Sequence, residues 1–187
     1  MASAAPPGAP LSLDAFLERL AAAGKNVRAL RGEFVQRKRL AAFEKELTSR
    51  GRFELVRPAH LEWRYTDPDP SALVVEGDRA TLSLPDEPPQ TYDLTRQPGL
   101  AAILRQMRLW LGAEADLSRL KADYDLTLTQ PKEGPILHLV PRTPALRARI
   151  SEIEVAFDGR TLLPRSAQVT ERSGDRTVIT FVKVERR

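Results

Sequence analysis

The chain has 187 residues, 42% of them apolar, which suffices for one domain around one core and excludes a disordered or fibrous class. No run approaches the roughly 20 uninterrupted apolar residues of a spanning helix, and the lack of cysteine excludes disulfides, thiolate zinc sites and cysteine nucleophiles. A net charge of +4, with pI about 9.7, is too small an excess to specify nucleic acid and reads as a solvated basic surface.

Residues 1–10 are small and Pro-rich and are expected to form a flexible leader ahead of a single domain over 11–187. They hold no apolar signal-peptide core, so any export signal is expected to have been removed. Ser12 can cap a helix over about 12–23, in which Leu13, Phe16, Leu17 and Leu20 recur at helical spacing and Gly24 falls just past the end. From Leu30 the period becomes that of a strand, with Leu30 and Phe34 on one face and Arg31, Glu33 and Arg37 on the other. A second strand, Ser49 to Arg57, sets Gly51, Phe53 and Leu55 against Arg50, Arg52 and Glu54. A third sets Leu61, Trp63 and Tyr65 against Glu62 and Arg64 and stops at Asp67-Pro68-Asp69-Pro70. Leu73 to Val75 leads through a Gly77-Asp78 turn into Thr81 to Leu84, so four or five antiparallel strands follow the first helix.

After Pro98-Gly99, Leu100, Ile103, Leu104, Met107 and Leu111 mark an amphipathic helix with Trp110 alongside and Arg105 and Arg108 on the wet side. A short helix within 113–121 completes a helical lid over about 98–121. Strands resume at Tyr124–Thr129, Ile136–Val140, Ile150–Phe157, Leu163–Thr170 and Thr177–Val184, with Asp158-Gly159 as a hairpin turn. Long strands with one charged and one apolar face describe a single curved antiparallel sheet whose concave side the helices cover, in an α+β, mainly β chain.

Catalytic signatures do not appear. His60 and His138 stand alone in strand contexts and read as ordinary strand histidines, and no phosphate loop, nucleophile elbow or metalloprotease motif is present, so no catalytic residue, metal site or cofactor is expected. Arg28, Arg31, Arg37, Lys38 and Arg39 read as a solvated strand face, because Leu30 and Phe34 point away and give bases no stacking platform; no nucleic acid partner is expected.

Several stretches together are similar to the outer-membrane lipoprotein carrier family, LolA and its receptor relative LolB. They are Gly32-Glu33-Phe34-Val35-Gln36, then Gly51 to Pro58, Leu61-Glu62-Trp63-Arg64-Tyr65, Pro68-Asp69 and Leu73-Val74-Val75-Glu76-Gly77. The resemblance implies a half-open β-barrel with a helical lid, a periplasmic monomer that carries the acyl chains of lipoproteins, or a related lipid, from an inner-membrane lipoprotein-releasing transporter to an outer-membrane receptor. It makes Phe34, Phe53, Leu55, Leu61, Trp63 and Tyr65, with lid residues Leu104, Met107 and Trp110, the expected cavity lining, and Arg57 the latch that bonds to the lid in the closed state.

Two features depart from the family pattern. Ala80 to Leu84 lacks aromatic residues, and the chain stops soon after its last strand, without the extra C-terminal segment of the main carriers; a carrier-like paralogue moving another lipid is one implication. The alternatives are a sensor or protein-interaction module with a filled concave face and a receptor-type protein on the same fold; a lipid-modifying enzyme would need polar groups clustered inside, which the alternation does not provide.

Overall fold

In the computed structural model, residues 11–25, 27–43, 45–97, 100–101, 104–105, 107–108, 111 and 117–187 are described, the side chains of 117 and 119 excepted. The expected leader and the lid residues Ile103 and Trp110 lie outside them. Helix α1 (Leu13–Lys25) starts where expected, with Ser12 Oγ accepting the Ala15 N–H. It runs through Gly24, which is buried inside the helix instead of standing past its end and lines a small cleft with Val27, Leu30 and Leu55.

Eleven strands follow: β1 (Ala29–Leu40), β2 (Lys45–Val56), β3 (His60–Asp67), β4 (Ser71–Glu76), β5 (Arg79–Ser83), β6 (Gln90–Asp93), β7 (Tyr124–Thr129), β8 (Ile136–Pro141), β9 (Ile150–Phe157), β10 (Pro164–Glu171) and β11 (Arg176–Arg186). Short helices α2 (Leu117–Asp123) and α3 (Pro144–Arg147) precede β7 and β9, and the described residues between 100 and 108 are helical. The strand order is β6-β5-β4-β3-β2-β1-β11-β10-β9-β8-β7, antiparallel throughout. The first and last strands thus meet in the middle, while β6 and β7 are open edges flanking the helical insertion. Flat, ten strand spacings of about 4.8 Å would separate those edges by roughly 48 Å. Instead Ala80 of β5, Tyr124 of β7 and Phe16 of α1 share one buried cluster, so the sheet curls into an open half-barrel with the helices inside the curl.

Three local readings change. Gln90–Asp93 is an eleventh strand that its Pro-rich approach concealed; it pairs with β5 through four residues. Asp158-Gly159 does not make a tight hairpin: Asp158 Oδ1 accepts from the Arg160 and Thr161 N–H groups and the Thr161 hydroxyl, building a wider loop that closes through Leu162 at φ 55°. Helix α3 was not foreseen; Thr143 caps it and proline opens it.

Candidate functional site

The inner wall is built from the alternation of β1, β2 and β3. Phe34, Phe53, Leu55, Leu61 and Trp63 are each at most 3% exposed, while Tyr65 is half-buried at the end of the row. Phe34 stacks on Trp63 with ring centroids 4.1 Å apart and meets Tyr65 edge-on at 5.3 Å; Phe181 of β11 meets Phe53 at 5.6 Å. Such aromatic pairs add about 0.5–1.5 kcal/mol each beyond their area burial.

Two glycines make room for these rings. Gly32 pairs across the ladder with Phe53, and Gly51 with Phe34. A Cβ on Gly51 would lie 2.5 Å from the Phe34 ring and 2.2 Å from the Arg64 carbonyl oxygen; on Gly32 it would meet Phe53 and the Lys183 carbonyl at 3.0 Å. The glycines of the two quoted motifs are therefore seats for the aromatic residues of the opposite strand.

Polar groups on this wall are few. Tyr65 Oη donates to Gln36 Oε1 at 2.9 Å, which ties the third strand to the first and gives the glutamine of the first motif its role. Burial pushes the Tyr65 phenol above its ordinary range, partly offset by hydrogen bonding with Trp63 and Gln36.

The helical segment after residue 100 lays Leu104, Met107 and Leu111 into the same apolar cluster. Trp110, expected beside them, lies outside the described residues. Arg108 leaves the wet side it was assigned: its Nη2 donates to the Pro58 carbonyl at 2.5 Å, bridging the cover to the β2–β3 turn. Arg57 does not continue the strand, which ends at Val56. It begins the turn, half-buried, and lines a narrow cleft of about 10 Å³ with Leu55, Leu111 and Arg186 among others. Sequence had marked Arg57 and passed over Arg108, because helical periodicity locates a face but not the turn of chain lying beside it.

A groove of about 400 Å³ on the outer face lies over the β1–β11 bulge between Arg31, Glu33, Arg52 and Lys183, where Lys183 adopts φ 51°. His60 lies 3.8 Å from the exposed Glu76, and His138 sits on the outer face of β8; neither joins the inner wall. No helix among the described residues is long and apolar enough to cross a membrane.

The family model described as outer membrane lipoprotein carrier protein LolA matches residues 25–187. An outer-membrane lipoprotein carrier protein of Dechloromonas aromatica (strain RCB) is 27% identical over 163 residues, covering 87% of this chain and 73% of the relative. Among solved structures, MucB superposes with a TM-score of 0.52 at 23% identity, over 96% of this chain and 60% of that one. A LolA superfamily protein from Nitrosomonas europaea gives a TM-score of 0.46 at 11% identity, over 95% and 94%.

Proposed function

Because the chain belongs to the outer membrane lipoprotein carrier protein LolA family, we propose that it is a periplasmic carrier that takes up the acyl chains of a lipoprotein or a related lipid beneath its helical cover and releases them at the outer membrane. The observation that carries this reading is the joining of wall and cover in one apolar cluster, with Arg108 of the cover donating to the rim at Pro58. An acyl chain of about 16 carbons is unfavourable in water by on the order of 10 kcal/mol, so a carrier must replace that burial with its own apolar wall. Side chains that fill the wall in the closed form are the surface that lipid would displace.

Arg57, beside Leu111 in the rim cleft, acts with Arg108 as the latch. A few charge-assisted hydrogen bonds, each about 1.5–3 kcal/mol, are weak enough for lipid binding to open. The described inner wall is lined mainly by apolar and aromatic side chains, which suits the burial of acyl chains. An inner-membrane releasing transporter and an outer-membrane receptor are the partners this role requires.

Native mass spectrometry of the protein purified from a Gram-negative periplasm, with extraction of the accompanying lipid, tests the proposal. Co-purifying lipoprotein or phospholipid, diminished by Met107→Trp in a variant of unchanged circular dichroism, is the expected result. Protein that is consistently empty would replace the carrier with a protein-interaction module whose concave face is simply its core.

A further inference from the structure

We propose that His138, Glu152 and Glu154 form a binding site for a divalent transition-metal ion of the zinc class on the outer face of the half-barrel, clamping β8 to β9. The ladder builds it. His138 pairs directly with Glu154 across the two strands, and Glu152 lies two residues further along β9 on the same face. His138 Nδ1 stands 3.1 Å from Glu154 Oε1 and 3.5 Å from Glu152 Oε1, and the three donor atoms all lie within 4.8 Å of one another. Metal–ligand bonds of about 2.0–2.2 Å place neighbouring donors roughly 3.3–3.6 Å apart at the tetrahedral angle, close to both measured separations.

The surroundings hold these donors from behind. Thr129 Oγ1 of β7 lies 3.0 Å from His138 Nε2, and Gln168 Nε2 of β10 donates to the second oxygen of Glu154 at 2.5 Å. When the ε-nitrogen donates to Thr129, Nδ1 turns its lone pair toward two carboxylate oxygens. Three acceptors then face one another within 4.8 Å, an arrangement that a cation bound between them would satisfy. A proton on Nδ1 serves one carboxylate well along a single line; a divalent ion serves all three donors and is neutralised by the two carboxylates, with water completing its coordination. Outer hydrogen bonds of this kind orient metal-ligating imidazoles and carboxylates. The site lies on the convex side, apart from the apolar wall, and it braces the four strands from the open β7 edge inward to β10.

The test is isothermal titration of the metal-stripped full chain with zinc sulfate, with cobalt absorption reporting the geometry and thermal melts taken in zinc against chelator. Wild type is expected to bind one equivalent and to melt higher with zinc, and His60→Asn to behave like it. His138→Asn and Glu152→Gln, each with unchanged near-ultraviolet circular dichroism, are expected to lose that equivalent, and Gln168→Ala to bind about 10- to 100-fold more weakly. Absence of binding in wild type, or equal binding in His138→Asn and Glu152→Gln, overturns the proposal and leaves the cluster as a proton-bridged ion pair.

Discussion

Removing the Arg108 guanidinium loosens the helical cover without dismantling the barrel. Its Nη2 reaches the Pro58 carbonyl at 2.5 Å, and Arg108 is only partly exposed. Hydrogen bonds to charged groups are worth about 1.5–3 kcal/mol, and solvent screening of a rim contact argues for the lower end. Arg108→Met keeps the apolar stem and removes the donor. A loss of about 1.5 kcal/mol shifts the closed-to-open equilibrium roughly tenfold. If the cover opens only as part of global unfolding, the same loss lowers the melting temperature by about 3–6 °C for a chain of this size.

Hydrogen exchange distinguishes the two cases. Amides within 100–111 are expected to exchange about tenfold faster in Arg108→Met, while those of β1 and β2 keep wild-type protection, because local opening draws on fewer contacts than the core strands. Arg57→Leu is expected to act in the same direction, and its delivery of cargo at the wild-type rate would remove Arg57 from the latch. Unchanged exchange at 100–111 in Arg108→Met, or an equal loss of protection across the whole sheet, would refute the separation of cover from barrel.

Two further outcomes follow from the wall. Gly51→Ala forces a Cβ against a backbone carbonyl and the Phe34 ring, an overpacking of about 1–3 kcal/mol or roughly 2–12 °C. Gly32→Ala, with its nearest contacts at 3.0 Å, should cost less, and calorimetry reversing that order would contradict the ring-seat account. Burial raises the Tyr65 phenol, so its contribution to stability is fully present below the ordinary tyrosine value and is lost as pH rises through the raised one. Urea titrations at increasing alkalinity should therefore show Tyr65→Phe losing less stability than wild type; parallel losses would remove desolvation of Tyr65 as a cause.

Alternation of charged and apolar residues was sufficient, on sequence alone, to determine the faces of β1, β2 and β3, since a period of two leaves a strand only one way to bury Phe34, Phe53 or Trp63. The helical spacing of Phe16, Leu17 and Leu20, and of Leu104, Met107 and Leu111, likewise marked the sides that reach the core. The quoted motifs pointed to the family across most of the chain. Contacts between residues far apart in the chain had no such local signal. Nothing near Gln90 announces that it pairs with Leu82, and nothing near Arg108 announces Pro58, fifty residues earlier. His138 looked solitary because the carboxylates that face it come from the next strand, and Gly51 could be assigned to the apolar face of β2 but not seen to seat the Phe34 ring, which fills its missing side chain's place. Periodicity encodes which side of an element is apolar; register, sheet order and curl decide which groups that side meets, and those depend on pairings between segments that no local pattern specifies.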